Sequence, residues 1–411
     1  MKIAIILGRG TEGCGVTQCA IQMQRVSGAD IYSTKDKRWP RAKGFDFPVT
    51  EFSMAKEWEK YTEIVNKYDL CVIYSVPSTG HPEACQENFL KFLNAIKIRK
   101  AFINVDHKMA SISRNANLKE VCGKVDVMMT HSMENDFCKY MTKHAITTPV
   151  CKMGLGFSYD EHRKKYWKPI DEQQGELVRW IGRTTGWKGP GLMIDYHADK
   201  LKDLGFITVL EGLEASISYT SILYKDDACT QRRDVVNYFR PEKEHGDEKF
   251  DPSVYGKETL NKGAYLYPPY INQDAMERMS LSGFGSDLYH LSEKSYGNNI
   301  ENCHAEIIAC GSVPIFHKHF CDNVIHKVQG DPITKCKNSG TIALDYSNFD
   351  EASKIMKKLK NDSSMRDDWR EMAFEFWKQH SDAKDVVSEI IKLATDNITE
   401  TKKSTLEDLF A

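Results

Sequence analysis

Two cations five residues apart, Arg183 and Lys188, follow a short apolar run, Leu177 to Ile181, that closes on Gly182. The run has the length and β-branched or aromatic content of a buried strand. Ligands of open α/β sheets bind beyond the strands' carboxyl ends, so cations placed there suit a diphosphate. An arginine offers a planar fork and a lysine a compact point charge, so the pair can neutralise two phosphates from different directions. Taken alone, the spacing fits a solvated surface equally well. A second phosphate-friendly loop sharpens it. Lys2 to Leu7 reads as a strand, and Gly8, Gly10 and Gly13 follow it in G-x-G-x-x-G spacing before an amphipathic segment that runs to Ser27. The same stretch imitates a P-loop, but Val16 stands where that loop needs its lysine. What remains is mechanical: glycines admit backbone N–H groups to a ligand, and a helix starting near Gly15 turns its positive end toward it.

A third candidate is the acid–imidazole pair Asp106 and His107, just past an apolar run, Ala101 to Val105. A carboxylate at a strand end that faces a cleft can receive or orient a proton. Asp also caps helices well, so a capping role stays open beside the chemical one. His131 and Ser132 suggest a hydrolase pair, but no nucleophile elbow surrounds the serine. His317, His319 and Cys321 alternate after a strand, a pattern of exposed edge residues as much as of metal ligands. Twelve cysteines form no C-x-x-C pair, so no zinc motif is read and the expected metal set is empty. Their scatter through apolar runs suits a reducing cytoplasm.

The elements that must position these residues come next. A chain of 411 residues exceeds one ordinary domain, and a composition of 41% apolar and 28% charged residues is that of a globular protein. A net charge of −2 excludes a global basic field but not a basic cleft. The opening KIAIIL is too short for a membrane span or signal peptide. Strand patterns at 30–33, 69–75, 101–105 and 125–130 alternate with helical ones at 54–67 and 83–96, which implies a parallel, doubly wound sheet. After a charged, irregular stretch at 154–174 the alternation restarts at Leu177, with strands expected near 206–210, 218–224, 264–267, 313–316 and 341–344. Residues 225–262 are polar and predict a long loop. From Asp350 onward two or three amphipathic helices are expected, SSMRDDWREMAFEFWKQH being the clearest. The fold class is therefore α/β, with two Rossmann-like doubly wound domains. Residues 1–165 form the first, completed by C-terminal helices at about 382–411, and residues 166–381 form the second.

Five collinear blocks now carry a resemblance: RGTEGCGVT (Arg9 to Thr17), RWIGRTTGWKG (Arg179 to Gly189), EGLE (Glu211 to Glu214), ERMSLSGFG (Glu277 to Gly285), and His304-x-Glu306 with Ala309, Cys310, Gly311 and Pro314. In this order they resemble the DNA α-glucosyltransferases of T-even bacteriophages. The resemblance implies a GT-B enzyme with its two domains facing across a cleft. It implies transfer of a sugar from a UDP-sugar, with retention, to 5-hydroxymethylcytosine in duplex DNA, in the cytoplasm of an infected bacterium and as a guard against restriction. By the same resemblance Arg183 and Lys188 hold the diphosphate and Glu306 clasps the ribose hydroxyls. Gly13, Cys14 and Gly15 approach the donor from the opposite wall, and Gly283, Phe284 and Gly285 line the nucleotide pocket. Asp106, with His107 beside it, meets the sugar or acceptor. The family's His-Asp-His is here Val105-Asp106-His107, so UDP-arabinose stands beside UDP-glucose as a donor. No Asp-x-Asp occurs, so no metal–diphosphate clamp is required, although a divalent cation is compatible with the chain.

A base inside a duplex cannot present its 5-substituent to a deep cleft, so this function demands base flipping. Phosphate contacts are expected from Lys97 to Lys100, Arg163 to Lys168 or Arg232 to Arg240, each of which also reads as a solvated face. No membrane partner is expected. Three other readings compete: a GT-B enzyme acting on a carbohydrate or lipid, a catalytically silent nucleotide-binding module, and a dinucleotide oxidoreductase resting on the glycine spacing and Asp36.

Overall fold

The computed structural model describes residues 1–8, 15–34, 49–76, 85–104, 118–130, 141–152, 155–183, 192–193, 196–213, 258–259, 264–267, 272–287, 302–316, 324–325, 332–333, 343–345 and 348–396. The first sheet begins with β1 (Ile3–Leu7), every residue of which is buried. Such a strand has no polar face, because successive side chains enter two different cores. Ile3, Ile5 and Leu7 pack toward α1 (Gly15–Ser27), while Ala4 and Ile6 face the opposite layer. That layer includes α2 (Met54–Val65), α3 (Gln86–Ala95) and α4 (Leu118–Cys122). The remaining strands are β2 (Asp30–Thr34), β3 (Val49–Phe52), β4 (Leu70–Ser75), β5 (Arg99–Asn104), β6 (Val127–Thr130) and β7 (Val150–Lys152). Their order is β3-β2-β1-β4-β5-β6-β7, and all pairings are parallel. The order reverses between β1 and β4, which places a topological switch point there.

The second sheet repeats the plan. Its strands are β8 (Gln174–Arg183), β9 (Ile207–Leu213), β10 (Glu258–Thr259), β11 (Ala264–Tyr267), β12 (Ser282–Ser286), β13 (Val313–Phe316) and, past the small hairpin β14 (Val324–Ile325) and β15 (Pro332–Ile333), β16 (Leu344–Asp345). The order is β10-β11-β9-β8-β12-β13-β16, parallel except for β10 at the edge. The switch point falls between β8 and β12. Trp180 and Val178 sink into one face with Tyr196 and Met356 of α8 (Phe349–Asn361). Ile181 faces the other, with α5 (Tyr159–Tyr166), α6 (Asn272–Ser280), α7 (Asn302–Ala309) and α9 (Ser363–Ser381). Two parallel, doubly wound sheets make this the expected α/β architecture.

The chain crosses between the sheets twice in the same place. Phe157 on the outward path bridges Asp382 on the return: its N–H donates to the Ser381 carbonyl at 3.0 Å, and its carbonyl accepts from Ala383 N–H at 2.9 Å. The return path ends in α10 (Ala383–Thr395), which packs on α1 and β5 of the first sheet. Ser158 N–H, beside the bridge, donates to Gln22 Oε1 of α1 at 3.0 Å.

His162 sits at this joint. Its ring lies 4.4 Å from that of Phe157, and Nδ1 is 3.0 Å from the Ser158 carbonyl. Burial, with Arg25 and Lys165 adding to it, pushes its pKa down to about 4. The unfolded chain takes up this proton near pH 6.5, whereas the folded one resists it until about pH 4. The stability this residue contributes is therefore complete above pH 6.5 and is lost as pH falls toward 4, amounting to about 2–3 kcal/mol. Thermal melts of wild type and His162→Gln between pH 7 and pH 4 should show a shallower acid slope in the variant. Parallel slopes would remove His162 from the acid response.

Candidate functional site

The carboxyl ends of the two sheets bring two helix starts together. α1 leaves the β1 edge and opens at Gly15, and α7 opens at Asn302, beyond β12. Asn302 Nδ2 lies 3.6 Å from Cys19 Sγ, in the second turn of α1. The first turns of both helices thus stand at one place between the sheets, beside the β8/β12 switch point. Neither first turn carries an acidic residue. The partial positive charges of both helix starts face that place, that of α7 beside the Asp287 carboxylate. Such a pair of helix ends suits a phosphate-bearing ligand.

Around this point the expected residues fall as follows. Gly15 is the first residue of α1. Arg183 is the last of β8, in register with Leu213, and the preceding pair is Gly182 with Gly212. Glu306 is partly buried in α7, four residues beyond Asn302 and so on nearly the same face of the helix. Gly13, Cys14, Asp106, His107 and Lys188 lie outside the described residues. So does Val105, as do His131, Ser132, and the His317, His319 and Cys321 trio. β5, which leads into Asp106, ends at the buried Asn104, whose amide is 3.5 Å from the Thr130 hydroxyl.

Gly283, Phe284 and Gly285 lie in the middle of the second sheet. They form the interior of β12, wholly buried between β8 and β13. Phe284 is fully enclosed, edge-on to Phe206 at 5.7 Å. A Cβ on Gly283 would stand 2.9 Å from the Gln174 carbonyl oxygen and from Gly175 Cα, where the β8–β12 register shifts. One on Gly285 would meet Ile307 Cγ2 of α7 at 2.5 Å. The two glycines let a strand and a helix approach closely beneath the switch point.

Sequence reading missed the group at the foot of α7. Asp287, immediately past β12, lies with Cys303 and His304 so that one ligand atom of each falls within 4.8 Å of the others. Cys303 Sγ donates to Asp287 Oδ2 at 2.7 Å, and His304 Nε2 is 3.2 Å from the same oxygen. The only available signal was the polar Asp287 standing at the end of SGFGS, a run whose strand character glycine and serine conceal.

Two of the basic segments occupy the opposite edge. Lys97 to Lys100 leads into β5 at its amino end, where Arg99 donates to the Asp396 carbonyl and Lys100 Nζ to that of Ile96 at 3.1 Å. Arg163 is clasped by Glu371 through its two terminal guanidinium nitrogens at 2.6 and 2.5 Å. Trp167, stacked by Arg163 and Arg370 at 4.2 and 4.6 Å, packs against Gly311 at the amino end of β13. Arg99, Lys100 and Arg163 are thus paired within the chain, at the amino-end side of their sheets. Arg232 to Arg240 lies outside the described residues. Among the described residues no helix is long and apolar enough to cross a membrane.

Comparison with known proteins bears on this geometry directly. The family model for DNA α-glucosyltransferase matches residues 14–366. The DNA α-glucosyltransferase of Enterobacteria phage T4 is 33% identical over 407 residues, covering 93% of this chain and 97% of that one. A solved α-glucosyltransferase in complex with UDP and a 13-mer DNA containing a HMU base is 32% identical. It has a TM-score of 0.81, with 96% of this chain and 100% of that chain covered. Another, in complex with UDP-glucose and DNA containing an abasic site, has a TM-score of 0.80 at 32% identity over 96% and 100% of the two chains. The Anabaena protein HepE, solved with UDP-glucose, shares the fold alone: TM-score 0.58 and 13% identity over 96% and 99%. With the twin doubly wound sheets, the paired helix starts and a match along nearly its whole length, the chain belongs to the DNA α-glucosyltransferase family and has the GT-B fold.

Proposed function

We propose that this protein transfers a sugar from a UDP-sugar to 5-hydroxymethylcytosine in phage duplex DNA, retaining the anomeric configuration, inside the infected bacterial cell. The observation that carries the reading is the meeting of the α1 and α7 starts beside the end of β8. In this reading residues 1–165, completed by about 382–411, form the acceptor side, and 166–381 the donor side. Solved members of the family have been captured with UDP-glucose and with DNA bearing a HMU base or an abasic site, which supports both partners.

Transfer passes through an oxocarbenium-like state as the departing UDP gains negative charge, so catalysis comes chiefly from fixed positive groups aimed at the diphosphate. Arg183, Lys188 and the start of α1 at Gly15, with Gly13 and Cys14 just before it in the sequence, supply them. Glu306 takes the ribose hydroxyls from α7. Asp106, flanked by His107, orients the acceptor hydroxyl or steadies positive charge on the sugar. The modified base reaches them by leaving the stack.

Labelled UDP-glucose and UDP-arabinose are to be offered to duplexes with and without hydroxymethylcytosine. Label should enter only the hydroxymethylated duplex, from one or both donors, and less readily at high salt as counterions compete for the phosphates. Preference for arabinose would assign Val105 to sugar choice. Transfer to oligosaccharide or lipid but not to DNA would refute the reading.

A further inference from the structure

Asp287 is a carboxylate with no solvent exposure. Removing such a group from water is costly unless polar groups hold it. Two side chains of the first turn of α7 meet it. Cys303 Sγ donates to Oδ2 at 2.7 Å across a separation of 16 residues, and the His304 ring packs beside that oxygen, its Nε2 3.2 Å away but outside hydrogen-bond geometry to it. The His304 ring is itself fully buried, 4.4 Å from Phe316 at the end of β13. The carboxylate also stands at the positive end of α7, where a negative charge is favoured. The end of β12 and the start of α7 are thereby brought together by side chains.

His304 precedes Glu306 by two residues, which places the tie on nearly the opposite side of the helix from Glu306. A rotation of α7 by ~15° would swing a carboxylate ~6 Å from the axis by ~1.5 Å, enough to break a hydrogen bond. We propose that Asp287 is a positioning residue, clamping the first turn of α7 through Cys303 and His304 and so fixing where Glu306 meets the ribose of the donor nucleotide. This rests on the reading that Glu306 holds the ribose hydroxyls. The same three groups are a zinc donor set by type, but zinc at ~2.0 Å from oxygen and ~2.3 Å from sulfur holds such atoms about 3.5 Å apart. Cys303 Sγ and Asp287 Oδ2 stand 2.7 Å apart, closer than two ligands of one zinc ion.

The test compares kcat/KM for UDP-glucose with that for its 2′,3′-dideoxyribose analogue. Wild type should prefer the intact ribose by about 10- to 100-fold, the range for hydrogen bonds to a charged group. Glu306→Ala should abolish that preference. Asp287→Asn and His304→Ala should erode it severalfold, chiefly through KM, in protein whose melting and circular dichroism show it folded. Should Asp287→Asn fail to fold, Cys303→Ala against Cys303→Ser gives the same comparison: alanine should lose part of the preference and serine, which keeps a donor, should retain it. Full ribose preference in the folded Asp287 and His304 variants, or in Cys303→Ala, would overturn the clamp, as would stoichiometric zinc in the purified enzyme. A wild type indifferent to the ribose hydroxyls would instead refute the role given to Glu306.

Discussion

Replacing Arg183 by alanine is expected to lower kcat by about 10²- to 10³-fold, the cost of removing one preorganised donor from a developing oxyanion. The residue closes β8 at the β8/β12 switch point, where α7 and α1 turn their starts toward the same gap. Charge accumulates on the leaving diphosphate only as the sugar bond breaks, so the loss should fall on kcat more than on the affinity for UDP-sugar. Lysine at position 183 should recover part of the rate but not all, since an ammonium cannot reproduce the two-pronged contact of a guanidinium. Lys188→Ala should behave similarly, and the double variant should be less impaired than the product of the two single effects, because both cations serve one anion. Steady-state kinetics with UDP-glucose and hydroxymethylated duplex, beside a UDP titration, measure all of this. An Arg183→Ala enzyme within threefold of wild type would sever the link between the strand end and the chemistry.

The elements with strong periodic signals were legible in advance. β1, β4, β5 and β6 are near-continuous apolar runs, and a strand buried on both faces leaves that trace. Placing Arg183 at a strand end followed from the same pattern. Three parallel strands left no such trace. Val49–Phe52 and Val150–Lys152 are short strands far from the centre of the first sheet, too brief for alternation to register. SGFGS is central, but its glycines exist to admit Gly175 and Ile307, so close packing removed the β-branched residues by which a strand is recognised. The Asp287, Cys303 and His304 group was hidden differently: its members are 16 residues apart in sequence and meet only through the crossover from β12 to α7. The arginine that opens the Arg163 to Lys168 run is paired by Glu371 of α9, a partner that sequence distance conceals.

Asp106→Asn is expected to reduce turnover by about 10³-fold or more while leaving UDP affinity within about threefold of wild type. The substitution is chosen because it separates the two roles open to this residue. Asparagine caps a helix about as well as aspartate, so a purely structural Asp106 would tolerate the change with turnover almost intact. An acid–base or charge-stabilising Asp106 would not, because the amide neither takes a proton nor opposes positive charge on the sugar. Asp106→Ala adds the complementary arm: if capping matters too, its melting temperature should fall below that of Asp106→Asn, by the equivalent of ~1 kcal/mol. The position argues for the chemical role. In the sequence Asp106 comes two residues after β5, a strand that lies next to β4 and ends on the carboxyl edge where α1 also starts. Near wild-type turnover in Asp106→Asn, with duplex and donor both saturating, would move the proton transfer to the departing diphosphate itself and leave Arg183 and Lys188 as the whole of the catalytic apparatus.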